Sequence, residues 1–270
     1  MSTQEKLFDK YLHLLEVKKS PPSLLLLGRI VKAHLIKVPF ENISKLLYKK
    51  QGIIHIPDLS TFLTGIEKYN FGGTCYSNNY HLYSLLKYIG FNIKLCGADM
   101  KNPDVHLISI VKIEDNEYIV DCGYAAPFLN PLPRDLKDDF IITHGNEKYI
   151  IKPKDEIGRT KVEQYSDGKL QHWYVAKSEE RKFEEFRKVI EDSYSDNAVF
   201  MNAVRITSYS ENGSKVLKNF SFTETEGNGY KIRKINPREL ASVIQENFGM
   251  PLIVVNEAIA SIKEIKDIYG

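Results

Sequence analysis

The sequence predicts an α+β protein laid out in three successive parts, and three observations predict it. Apolar residues recur at helical spacing as far as Gly90, alternate at strand spacing between turn signals over residues 91–177, and mix both periods thereafter. At 270 residues, with 43% hydrophobic and 11% aromatic side chains, the chain has ample material for packed cores.

In the first third, Leu7, Phe8, Tyr11, Leu12, Leu14 and Leu15 fit one helical face over residues 7–17. After the Ser20-Pro21-Pro22-Ser23 break, Leu24, Leu27, Ile30, Val31 and Leu35 fit another. Pro39 disfavours helix at Val38, so Phe40, Glu41 and Asn42 are expected on a turn or a new helix start. Asp58 or Ser60 can cap a helix through Phe62, Ile66 and Tyr69. Gly72-Gly73 then allows a tight turn, Thr74 is a good N-cap, and Leu82, Leu85, Leu86 and Ile89 carry a helix to a stop at Gly90.

The middle reads as short strands at 91–96, 105–113, 118–122, 140–143, 148–152, 161–165 and 170–176, with turns at Asp115-Asn116 and Asp167-Gly168. That spacing suggests a barrel or a sandwich. In the last third, Ser178 is expected to cap an amphipathic helix facing inward through Phe183, Phe186, Val189 and Ile190. Residues 198–208 and 216–222 read as strands about Asn212-Gly213, and Asn236-Pro237-Arg238-Glu239 as a helix start.

Lys plus Arg at 37 against Asp plus Glu at 35 leaves a net charge of +2 with no long run of one sign, which argues against nucleic acid and anionic membranes and for small-molecule partners. Cys75, Cys96 and Cys122 are odd in number and far apart, which speaks against a disulfide framework or a zinc site. With no signal-peptide core at the start and no apolar run of membrane length, the expectation is a soluble cytoplasmic protein.

Cys75 is the residue with chemical promise. It sits in the first turn of its helix, where free N–H groups and the helix dipole favour thiolate over thiol, although a lone cysteine is more often a small buried hydrophobe. A cysteine nucleophile needs a base and a group to orient that base. His106, opening an apolar strand, and Asp121, a lone carboxylate among apolar neighbours, are the candidates. His81 points to another side of the Cys75 helix, and the other histidines read as structural or surface residues. A hairpin about Asp115-Asn116 puts His106 and Asp121 on one face but offset by about four residues, roughly 13 Å. Pairing alone does not join them, and a structural salt bridge remains the alternative for Asp121.

Residues 71–79, Phe-Gly-Gly-Thr-Cys-Tyr-Ser-Asn-Asn, resemble the arylamine N-acetyltransferase signature Arg-Gly-Gly-x-Cys-aromatic-Glu-x-Asn, and Pro39-Phe40-Glu41-Asn42-Ile43 resembles that family's Pro-Phe-Glu-Asn-Leu. Val105-His106, Val120-Asp121-Cys122-Gly123-Tyr124 and Phe248-Gly249 are similar to further family segments in the same order. The resemblance implies a helical bundle (1–90), a β-barrel (91–180) and an α/β lid (181–270), with Cys75, His106 and Asp121 as a cysteine-protease-like catalytic triad. It further implies transfer of acetyl from acetyl-CoA, as co-substrate, through a cysteine thioester to an arylamine, hydrazine or N-hydroxyarylamine, with no metal. Phe40, Val105 and Tyr124 match positions at the acceptor pocket, where an aromatic wall suits a flat amine. A hydrolase, a transglutaminase-like enzyme or an amide synthase with another acyl donor uses the same residues, and a non-catalytic descendant is a third class.

Three departures stand out. The family's Arg is Phe71, its Glu is Ser77, and a glycine after the aromatic of the aspartate segment is Ala125. Losing both members of an ion pair strands no buried charge. Phe71 and Ser77 are therefore expected to meet in a less charged environment.

Overall fold

Local signals start the first helices. In the computed structural model, which describes residues 2–227 and 229–265, α1 (Thr3–Leu14) begins in a capping box of Ser2 and Glu5, and α2 (Leu24–Lys37) begins at Ser23. α3 (Ile43–Lys50), α4 (Leu59–Tyr69), capped by Asp58, and α5 (Cys75–Ile89) complete the helical third. Leu82, Leu85, Leu86 and Ile89 of α5 join Tyr11, Leu27, Ile30 and Leu63 in one core, each aliphatic side chain contributing roughly 2 kcal/mol by burial. Gly90, at φ 104°, ends α5 in a left-handed conformation open to glycine.

Residues 92–176 form one antiparallel sheet of β2 (Asn92–Asp99), β3 (His106–Ile113), β4 (Asn116–Val120), β5 (Leu132–Pro133), β6 (Phe140–His144), β7 (Glu147–Ile151), β8 (Thr160–Ser166) and β9 (Lys169–Ala176). Its order, β5-β4-β3-β2-β9-β8-β7-β6, leaves β5 and β6 as the two edges of a nearly closed, barrel-like curl. Ile108, Ile110, Val162 and Tyr174 fill the inside, and Phe128, from the loop after β4, meets Tyr149 edge-to-face at 5.5 Å. Asp167 and Gly168 take φ 49° and 75°, the tight hairpin that the sequence signals.

The β3–β4 hairpin differs from the expected register. Ser109 pairs with Val120 and Ile113 with Asn116, so the turn is Glu114-Asp115, with Glu114 left-handed at φ 54°. Moving the turn by one residue halves the expected offset of His106 from Asp121, and β4 ends at Val120, freeing Asp121 to bend toward the histidine.

The last third also departs from the reading in places. Ser178 caps no helix: its hydroxyl bonds the Gly158 carbonyl and receives Arg134 Nη2. The chain then enters a 3-10 turn at Phe183–Phe186 and the short α6 (Arg187–Asp192). Residues 198–208 start with a 3-10 turn at Val199–Met201, and strand begins only at β10 (Arg205–Tyr209). Residues 216–222 span the end of β11 (Gly213–Lys218), a turn and the start of β12 (Ser221–Glu226), because Asn219 is left-handed and its side chain accepts the Val204 N–H. β13 (Gly229–Lys234) carries no sequence signal, being exposed along its whole length. α7 (Leu240–Phe248), after the expected Asn236-Pro237 start, and α8 (Leu252–Ile259) close the described chain.

Phe40 and Glu41 are neither turn nor helix. They form β1 (Phe40–Glu41), which pairs with Thr207 and Ile206 at the edge of a second sheet, β1-β10-β11-β12-β13. Among the described residues no helix is long and apolar enough to cross a membrane.

Candidate active site

Cys75 is the first residue of α5, His106 the first of β3, and Asp121 follows the last of β4. His106 Nε2 lies 2.8 Å from Asp121 Oδ2, with both side chains at 1% exposure or less. The Cys75 side chain is close enough to the same imidazole to favour its charged form.

Burial alone would discharge both partners. For His106 the desolvation cost is overcome by the charge and hydrogen bond of Asp121 and by Cys75, and its pKa is pushed up to about 10. Burial likewise disfavours the Asp121 carboxylate, but His106, the Asn79 amide and the Gly123 N–H hold it below the usual range. Cys96 and Cys122 are buried at 0% and 2% exposure; desolvation raises the Cys96 pKa to about 12 and lifts that of Cys122 well above its ordinary value. Of the three cysteines, Cys75 alone stands at the start of a helix.

The turn into α5 is held by short polar links. Asn79, one helical turn after Cys75, donates to Asp121 Oδ1 at 2.8 Å and to the Leu107 carbonyl, while its Oδ1 receives the Cys122 N–H. The buried Glu41 carboxylate accepts from the Gly72 N–H at 3.1 Å and from Ser44, and Asn78 donates to the Pro39 and Gly73 carbonyls. Thr74 supplies the extended backbone of an N-cap, but its side chain caps nothing, which leaves the first-turn amides of α5 without a side-chain acceptor. A Cβ on Gly123 would stand 2.6 Å from Cys75 Cα and 2.7 Å from Asn79 Nδ2. Gly123→Ala is therefore expected to cost about 1–3 kcal/mol of stability and to slow alkylation of Cys75. An unchanged melting temperature together with an unchanged rate would show that this loop yields freely.

The expected pocket residues take different places. Tyr124 stands beside the imidazole: its ring lies 5.8 Å from that of His106, and its hydroxyl is 2.9 Å from His172 Nδ1. Tyr174 flanks the imidazole at 5.2 Å. Phe40 packs edge-to-face on Phe200 and borders the turn through the Glu41 N–H to Gly73 carbonyl bond. Val105 is met at its carbonyl by the Tyr76 hydroxyl at 3.0 Å.

Residues 23–257 match the profile of the N-acetyltransferase family. The chain belongs to the arylamine N-acetyltransferase family. It is 26% identical to the pineal gland isozyme NAT-3 of arylamine N-acetyltransferase from Gallus gallus, over 86% of this chain and 89% of that one. It is 29% identical to the N-malonyltransferase FDB2 of Fusarium pseudograminearum, over 48% of this chain and 40% of that one. The arylamine N-acetyltransferase structure from Mycobacterium abscessus shares the fold, with a TM-score of 0.79 at 18% identity, over 95% of this chain and 96% of that one.

Set against the family signature, the departures take separate surroundings. Phe71, 2% exposed, packs with Ile43, Leu46, Leu47 and Phe248, and Ser77 lines a small cavity with Lys45 and Tyr48. Ala125 is left-handed at φ 59°, where glycine is the unstrained residue. Sequence reasoning assigned no role to Asn79 or His172. Asn79 carried a usable signal, its spacing of one helical turn from Cys75. His172 carried none, since strand position alone does not show a partner on a distant loop.

Proposed function

We propose that this protein is an acetyl-CoA-dependent arylamine N-acetyltransferase that carries the acetyl group on Cys75. The buried His106–Asp121 pair, with Cys75 near enough to add to the His106 charge, carries the reading. The Cys75 thiolate attacks the acetyl carbonyl; the tetrahedral adduct collapses, its bond to the CoA sulfur breaks, and CoA leaves with the proton from His106. An arylamine or hydrazine then attacks the thioester, His106 takes the amine proton as the C–N bond forms, and the C–S bond breaks to return Cys75 as thiolate. An N-hydroxyarylamine reacts likewise through oxygen. Phe40, Val105 and Tyr124 line the acceptor side, and Tyr124, beside the imidazole, suits stacking on a flat ring.

In this reading residues 1–90 form a bundle that presents the nucleophile, residues 91–180 a barrel that presents base and acid, and residues 181–270 a lid, in a cytoplasmic enzyme. Intact-protein mass after mixing with acetyl-CoA and no amine should show one acetyl adduct, absent in Cys75→Ser, and initial rates should give the parallel lines of a ping-pong scheme. Intersecting lines with no adduct would sink covalent catalysis. The N-malonyltransferase relative favours a second reading, the same chemistry with another donor. An adduct formed from malonyl-CoA and not from acetyl-CoA decides for it.

A further inference from the structure

Lys45 has no part in the triad, yet it is 4% exposed on α3. Its Nζ donates to Ser193 Oγ at 2.5 Å and stands 4.0 Å from the Tyr194 ring centroid and 5.9 Å from that of Tyr76, the neighbour of the nucleophile. It lines one small cavity with Gly73, Thr74, Tyr76 and Ser77, the residues on both sides of Cys75. Among the described residues no carboxylate comes within ion-pair distance of it. A cation this deep is costly unless a negative charge balances it. The family signature places a glutamate at position 77; serine there leaves the ammonium facing the nucleophile turn with no acid beside it.

We propose that Lys45 is a positioning residue for acyl transfer, a second cation beside Cys75 that holds its sulfur as thiolate. The inference rests on Cys75 being the nucleophile. The charged and titratable groups around the ammonium agree with this direction. Lys49 on its own helix repels it, Tyr76 on α5 and Tyr194 after α6 present neutral rings, and Glu41 spends its oxygens on Ser44 and Gly72. His106 is bound to Asp121 and does not line the cavity that Lys45 lines. Burial lowers the Lys45 pKa to about 8, while the Cys75 charge works against that fall.

The test is the pH dependence of Cys75 alkylation by iodoacetamide, read by intact mass, in wild type, Lys45→Met, Lys45→Arg and Ser77→Glu. Lys45→Met should raise the midpoint by about one pH unit and slow alkylation at neutral pH about tenfold, and Lys45→Arg should restore most of both. Ser77→Glu, which sets a carboxylate beside the ammonium, should move the midpoint the same way; it decides alone if Lys45→Met fails to fold. A lowered melting temperature with unmoved midpoints would make Lys45 a structural residue and overturn the inference. Wild-type Cys75 reacting no faster than Cys96 would instead overturn the nucleophile assignment itself.

Discussion

Asp121→Asn is expected to slow acylation of Cys75 about 10⁴-fold, the loss typical when a base of this kind is deprived of its carboxylate. The cause is the balance at His106. Burial opposes the imidazolium, and the charge and hydrogen bond of Asp121 reverse the outcome. With asparagine the opposing side wins, the imidazole stays neutral at physiological pH, and the thiol keeps its proton. The fold should persist, because the amide oxygen can still receive the Asn79 and Gly123 donors. Single-turnover acylation by acetyl-CoA, with circular dichroism as the control for folding, measures it. A folded Asp121→Asn variant acylating within tenfold of wild type would remove Asp121 from the mechanism.

The second large effect is on stability in acid. His34 and His81 are both fully buried in the helical third, and desolvation lowers their pKa values to about 3 and about 4. His34 Nδ1 meets the Tyr11 hydroxyl while its Nε2 has no partner, and His81 Nε2 meets the Pro57 carbonyl with its ring stacked on Phe62. Each binds a proton more readily unfolded than folded. The stability is therefore complete above the unfolded value near 6.5 and is lost as pH falls toward the folded values. At pH 5 the two together should have cost about 4 kcal/mol. His106 does not offset this, because a raised folded pKa gives a contribution already complete below 6.5. Melting temperature between pH 7 and pH 5 should fall steeply in wild type and less steeply in a His34→Gln, His81→Gln variant. A flat wild-type curve would contradict the burial argument.

What the sequence showed and what it hid separate along physical lines. Elements whose signal is local were legible: the Asp58 cap, the Gly90 stop, the Asp167-Gly168 hairpin and the Asn236-Pro237 helix start all stand where the residues place them. Elements set by partners far along the chain were not. β1 is a strand only because β10 pairs with it, and β13 has no buried face to write a pattern into the sequence. The candidate site was half legible. The residue types and their places at element starts pointed to Cys75, His106 and Asp121. The geometry depended on a one-residue difference in a turn, fixed by a left-handed Glu114 that no turn signal marks. Lys45 was silent, since its importance lies in being buried beside another helix.

The links of residues 40–42 carry a consequence for synthesis. The Asn42 amide donates to the carbonyls of Phe200 and Ala203, and its oxygen receives the Arg205 N–H, across 158, 161 and 163 residues of chain. The same short segment anchors the Gly72-Gly73 turn through Glu41. On a ribosome, α5 emerges long before these partners exist, and contacts so distant in sequence close last. Cys75 thus acquires its final surroundings only when nearly the whole polypeptide has been made, so an unfinished chain holds a cysteine without a finished site around it.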